Sequence, residues 1–255
     1  MKLTKSLAAF LSSVCTAIAF QPTSFINQAQ FSTKNVESTS VLKMVTTGPL
    51  NCRPIGIGSA TPKTVVTNSD LESIVETSDE WIRTRTGISE RRLLLHPDPE
   101  KQEGDSVETI MTLAADAAQK ALTMSGKDAE DIDLVVVATS SPDDLFGDAT
   151  SVAASLGCKN AVAFDLTAAC SGFLFGSVTA GQFLTNSGNS YKNAIVVGAD
   201  ALSRWIDWDD RNSCILFGDG AGAVVLTSTE DGADAGILGS SAHSNGLGYK
   251  ELNCG

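Results

Sequence analysis

The stretch AVAFDLTAACSGFLFGSVTAGQFLTNS, Ala161 to Ser187, decides the fold. An apolar run of strand length, Ala161 to Asp165, passes through small residues into a helical pattern that begins near Ser171 and ends near Ser187. A strand is therefore expected to feed a helix, with Cys170 at the junction. The alternation continues on both sides. A Val-rich run, Leu134 to Ala138, precedes a polar loop and a helix-like Asp148 to Leu156, and another apolar run, Ala194 to Val197, follows the quoted stretch. Unbroken β-branched runs alternating with helices have the pattern of parallel strands covered on both faces. The expected fold class is α/β.

Upstream, Asp105 to Ser125 repeats apolar residues at Val107, Ile110, Met111, Ala114, Ala118 and Leu122, with Asp105-x-x-Glu108 at its start and Gly126 as a stop. This predicts an amphipathic helix. Gly56-Ile57-Gly58 reads as following a strand, but the third fingerprint position is Thr61 and Pro62 comes next, so no helix opens to hold a pyrophosphate and a dinucleotide-binding reading fails. Gly218 to Gly222 precedes an apolar run, Ala223 to Leu226, and is expected to form a tight turn with close backbone approach.

With 255 residues, 42% of them hydrophobic and 19% charged, the chain can build one or two folded domains. Its net charge of -12 argues against general binding to nucleic acid or to anionic membranes. An anionic substrate would need a local cluster of arginine or lysine. Cys15, Cys52, Cys158, Cys170, Cys214 and Cys254 include no C-x-x-C pair and only His96 and His243 accompany them, so neither a metal site nor a disulfide framework is expected.

The first residues have the pattern of an address. Lys2 and Lys5 precede an apolar run, Leu7 to Phe20, and Ala17-Ile18-Ala19 supplies a small-x-small cleavage pattern, so 1–19 reads as a signal peptide. Residues 20–47 are rich in Ser and Thr with Lys34 and Lys43 against Glu37, as transit peptides are. In series the two resemble the plastid-targeting leaders of algae whose plastids lie inside extra membranes, with a secreted protein as the alternative. No later run is long and apolar enough to span a bilayer.

A cysteine among alanines is more often buried filler than nucleophile. Cys170 stands at a strand–helix junction, where the free N–H groups of the first helical turn would favour a thiolate, and where its own N–H could hold a developing oxyanion. Small neighbours leave room for a slender substrate. A nucleophile for acyl transfer is the expected role.

The stretches TSDEWIRTRTGISERR (Thr77 to Arg92), VVVATSSPD, AFDLTAACSGF, AIVVGAD and FGDGAGAVVL (Phe217 to Leu226) carry a resemblance. From about Arg53 to Leu252 the chain resembles β-ketoacyl-acyl-carrier-protein synthase III, a chain-initiating condensing enzyme of type II fatty-acid synthesis in the thiolase superfamily. The resemblance implies a layered αβαβα fold, with its first half in 48–230 and only the start of its second half in 231–255. It implies transfer of acetyl from acetyl-CoA to Cys170, then decarboxylative condensation with malonyl-acyl carrier protein, without a metal or redox cofactor. Trp81 and Arg211 then match residues that flank the adenine of CoA, and Arg85 and Thr86 match residues near its phosphates. Phe146 matches an aromatic that reaches across a homodimer toward the partner's acyl pocket.

Bottom-up, Trp81 offers a flat face, and Arg83, Arg85, Arg91 and Arg92 form a basic island; the plainer alternative is a half-buried helix residue and a solvated face. The family's remaining catalytic groups, a His and an Asn in motifs resembling P-H-Q-A-N and H-G-N-T-S, have no match here, and His243 matches a position before that His. The expectation is a truncated chain. Two alternatives stay open: another thiolase-fold acyltransferase, such as a polyketide-type starter enzyme, or a non-catalytic partner of a full-length synthase.

Overall fold

The computed structural model describes residues 17–18, 45–95, 108–188, 190–229 and 236–246. Its strands are β1 (Ala17–Ile18), β2 (Val45–Thr47), β3 (Cys52–Ala60), β4 (Val65–Thr67), β5 (Glu90–Arg92), β6 (Leu134–Ala138), β7 (Val162–Leu166), β8 (Asn193–Asp200), β9 (Gly220–Ser228) and β10 (Ser240–Ala242). The helices are α1 (Asn68–Leu71), α2 (Asp79–Thr86), α3 (Ile110–Ser125), α4 (Ala149–Leu156) and α5 (Gly172–Asn186). Most of the expected leader, together with His96, Asp105, Val107, Cys15 and Cys254, lies outside the described residues.

A five-stranded sheet in the order β3-β9-β8-β6-β7 forms the centre. Every residue of β6 is buried, as its unbroken apolar run requires. β7, β6 and β8 run parallel, but β9 is antiparallel to both β8 and β3. The sheet is thus mixed where a parallel one was expected. An apolar run reports that both faces are covered, which holds equally for a central antiparallel strand, so strand direction was not in the pattern.

Helices cover both faces. On one, α3 and α4 close a core with Ile110, Leu113, Ile132, Val135, Val137, Val152 and Ile195. On the other, α5 packs Ala180 and Leu184 with Leu50, Leu134, Val136 and Val196. Each of these Val, Leu and Ile side chains contributes about 1.5–3 kcal/mol by leaving water. A third cluster, built around Leu71, Ile82, Leu93 and Cys214, joins α1 and α2 to the segment after β8.

Several boundaries shift for identifiable reasons. The α3 helix starts at Ile110 with Thr109 and Thr112 as its capping box, not at Asp105-x-x-Glu108. Glu108 is spent elsewhere, accepting the Lys63 N–H at 3.0 Å. Gly126 does end the helix, with φ +67°. Gly56 and Gly58 lie within β3 instead of after it, and a Cβ on either would overlap a carbonyl of α3, Ala121 or Ala117. They are there for close helix–strand packing. Gly220 and Gly222 belong to β9 and Gly218 lies just before it; none of the three has positive φ, so most of the expected tight turn is the start of a strand. β10 pairs antiparallel with β2 and with β1, in a small separate sheet.

Candidate active site

β7 delivers the chain to Cys170. After Leu166, Thr167 Oγ1 donates to Thr139 O at 2.6 Å, tying the exit of β7 to the exit of β6. Ala169 then adopts φ +46°, the one non-glycine left-handed conformation among the described residues. Such strain costs on the order of 1–3 kcal/mol and persists only where the surroundings hold it. A 3-10 turn, Ala169–Ser171, continues directly into α5. Cys170 is exposed there, while Cys52, Cys158 and Cys214 are buried. Burial pushes the Cys52 and Cys214 thiols up to about 11 and raises Cys158 as well, which makes all three poor nucleophiles.

One expectation needs correction. The Ser171 and Gly172 N–H groups are not free for the sulfur, because the 3-10 turn spends them on Ala168 O and Ala169 O. What the helix start offers is its dipole and the Cys170 N–H, which among the described residues makes no hydrogen bond outside its own turn.

Trp81, Arg85 and Arg211 form a second group. Ser78 caps α2, accepting the Trp81 N–H at 3.1 Å, with Asp79 and Glu80 in the first turn, Arg83 and Arg85 in the last, and Gly87 at φ +75° as the stop. One turn on from Trp81, the Arg85 guanidinium carbon sits 4.4 Å from the indole centroid; that of Arg211 sits at 4.1 Å. These are contact distances, so a flat ligand could enter between Trp81 and Arg211 only after Arg211 swings aside. Arg211 Nε is buried without a partner, and among the described residues neither arginine has an ion pair. Thr86 is half-buried; its hydroxyl donates to Ile82 O and accepts the Ile88 N–H, closing the helix.

The basic island is smaller than the sequence suggested. Arg91 is 6% exposed and donates to Val66 O, Asn68 Oδ1 and Ile215 O, a buried strut and not a surface cation. Arg83 pairs with Asp79 and Arg92 with Glu90.

Phe146 belongs to a third group. The loop from β6 to α4 projects Leu145 and Phe146, 93% and 96% exposed, at the lip of a cleft of about 420 Å³ that runs along β7. Gly147 follows at φ +97°, where a Cβ would meet the Asp165 carboxylate. That carboxylate accepts the N–H groups of Asp148 and Ala149 at 2.9 and 2.7 Å, capping α4 from across the cleft. Thr139 and Thr167 line the same cleft and link it to the Cys170 turn.

Residues 164–246, which carry this turn, match the family model for 3-oxoacyl-[acyl-carrier-protein (ACP)] synthase III. A β-ketoacyl-[acyl-carrier-protein] synthase III of Synechococcus sp. is 52% identical over 78% of this chain and 55% of its own length. One from Prochlorococcus marinus is 54% identical over 75% of the chain and 53% of its own.

Over the residues that align, the chain is similar to the β-ketoacyl-acyl-carrier-protein synthase III family.

It spans about half the length of these curated relatives. Among solved structures, the synthase III of Aquifex aeolicus is similar with TM-score 0.62 and 47% identity, over 71% of this chain and 55% of that one. A priming β-ketosynthase of the R1128 polyketide pathway also gives TM-score 0.62, at 34% identity, over 71% of this chain and 51% of that one. The thiolase-like α/β class expected from sequence is the fold observed.

Sequence reasoning missed the groups that hold the site's loops. Asp143, Asp148, Asp165 and Asp200 each receive backbone N–H groups, from Met111, Asp143, Asp148 and Ser140 among others. The available signal was an acid inside or at the end of an apolar strand, as in Asp165 and Asp200, which burial permits only with partners.

Proposed function

We propose that the protein is a chain-initiating β-ketoacyl-acyl-carrier-protein synthase, with Cys170 as its nucleophile. The observation that carries this is an exposed cysteine on a strained turn at a helix start, in a chain about half identical to such synthases. The Cys170 thiolate attacks the carbonyl carbon of acetyl-CoA, the oxyanion is held at the Cys170 N–H, and the CoA thiolate leaves, to be protonated by solvent. Malonyl-acyl carrier protein then loses carbon dioxide, the enolate so formed attacks the carbonyl carbon of the Cys170 acetyl thioester, and the Cys170 thiolate leaves, giving acetoacetyl-acyl carrier protein. The thioester is itself the activated donor, so the reaction calls for no metal or redox cofactor.

Trp81, Arg85 and Arg211 serve the CoA nucleotide: Arg211 swings off Trp81 so that the two flank the adenine, and Arg85, with Thr86, lies near the phosphates and the entrance. The chain acts as a homodimer that pairs through the β7 edge, with Phe146 reaching toward the partner subunit. It works in the plastid stroma, delivered by the leader. The decisive experiment is incubation with radiolabelled acetyl-CoA. Wild type is expected to hold one acid-stable acetyl group per chain and Cys170→Ser none; full labelling of the variant would withdraw the nucleophile.

A second reading, a starter enzyme for polyketides, draws support from the priming ketosynthase of equal TM-score. Competition between acetyl-CoA and longer acyl-CoA donors separates the two.

A further inference from the structure

Trp81 and Arg211 come from segments far apart in sequence, and two buried side chains, Asn68 and Arg91, join those segments from beneath. Asn68, the first residue of α1, is 1% exposed. Its amide Nδ2 donates to Asp79 Oδ1, at the first residue of α2, and to Ile88 O, just past the Gly87 stop, both at 2.8 Å. One side chain thus grips both ends of the helix that carries Trp81, Arg85 and Thr86. Its Oδ1 accepts Arg91 Nη1 at 3.0 Å. Arg91 in turn donates Nη2 to Ile215 O at 3.1 Å and Nη1 to Val66 O at 3.4 Å.

The Ile215 carbonyl closes the segment that carries Arg211. Asp210 organises its turn: the carboxylate accepts the Asn212 N–H at 3.0 Å and the Ser213 hydroxyl at 2.8 Å, and the carbonyl accepts the Cys214 N–H at 3.0 Å. The backbone beneath Arg211 is thereby fixed, while the side chain, its buried Nε without a partner, rests on the indole. Ile82, Cys214 and Ile215 pack in one cluster, with Trp81 against it. Among the described residues Arg91 has no ion pair, and an apolar side chain would serve packing alone without the cost of burying a charge. What the guanidinium adds is a rigid plane of donors that reaches both segments at once.

We propose that Arg91 and Asn68 are positioning residues that set the separation of Trp81 and Arg211, and with it the grip on the nucleotide end of the acyl donor. The proposal rests on the CoA reading above. Neither residue touches the donor, and none of their bonds reaches the Cys170 turn. A loosened link lets the two faces drift apart, so the nucleotide is held less well while the reacting thiol stays in place.

The test measures acylation of Cys170 in the native full-length protein by acetyl-CoA and by S-acetylpantetheine, which lacks the nucleotide, with KM and kcat separated. Wild type is expected to prefer acetyl-CoA by about 100-fold in kcat/KM. Arg91→Lys keeps the charge but loses the planar fork; it should cut that preference about tenfold, through KM for acetyl-CoA, and change kcat/KM for S-acetylpantetheine less than about twofold. Asn68→Ala should act in the same direction by about fivefold, which decides the matter if Arg91→Lys does not fold. A preference within about twofold of wild type in every folded variant, or equal losses for both donors, overturns the positioning role. Failure of both variants to fold also overturns it, since the pair would then serve stability alone. Wild type that takes up both donors equally well overturns the nucleotide reading instead, and wild type that takes up neither overturns the acyl-transfer reading, each with this proposal.

Discussion

At one edge of the central sheet, β3 hides its outward backbone groups: Met124 Sδ accepts the Ile57 N–H at 3.4 Å and Lys120 Nζ donates to Ser59 O at 2.9 Å, both from α3. At the other edge, β7 leaves them open. Val162 N–H bonds to Asp133 O on the β6 side, so by alternation Ala163 and Asp165 turn their backbone groups outward, and among the described residues nothing pairs with them. Val162 is 49% exposed beside them. A blocked edge stops a sheet from growing, whereas an open one with apolar neighbours is a template for another strand. The difference supports pairing through β7 and not through β3.

The contrast can be broken from the closed side first. Gly58→Val drives a side chain into the α3 backbone and is expected to cost about 3 kcal/mol or more, or to prevent folding; urea unfolding reads this as a lower midpoint at unchanged slope. Each edge also carries a thiol. Iodoacetamide should modify Cys170, which follows β7, at least about 100-fold faster than the buried Cys52 at the start of β3, as peptide mass mapping of the labelled protein would show. Equal rates would mean that the closed edge opens readily.

Smaller effects sharpen the open side. Ala163→Pro removes an outward N–H without touching the β6 ladder, so sedimentation should show monomers while subunit stability falls by less than about 1 kcal/mol. Asp143→Asn should flatten the acid limb of stability. A carboxyl held below its unfolded value stabilises the fold above that value and loses the contribution as pH falls through the folded one, so wild type and variant converge in strong acid. Smallest of all, Lys120→Ser should cost under about 0.5 kcal/mol yet promote association at high concentration, seen by light scattering.

The strands and helices around Cys170 were legible because buried runs and helical stripes are local patterns, and Leu134 to Ala138 was bounded to the residue. The antiparallel course of β9 was not, since direction depends on a partner far along the chain. Cys170 could be picked out by its junction, but the strain sits on Ala169, and no side chain betrays a φ angle. Arg91 looked like its neighbours and is buried, because only the fold reveals that Asn68 and two carbonyls await it. The loop carboxylates escaped notice for the same reason: each serves a backbone N–H that is set by tertiary packing.

The register of β3 has a consequence for how the molecule is made. Cys52 pairs with Ser228 and Ala60 with Ala221, so the first long strand synthesised takes its partner from the last of the sheet. At about 5–20 residues per second, a ribosome leaves β3 without that partner for on the order of ten seconds. During this interval α3, which appears sooner and packs directly on Gly56 and Gly58, is the element able to shelter it. The glycines that let the helix lie close thus also equip the nascent chain with a temporary cover before the sheet can close.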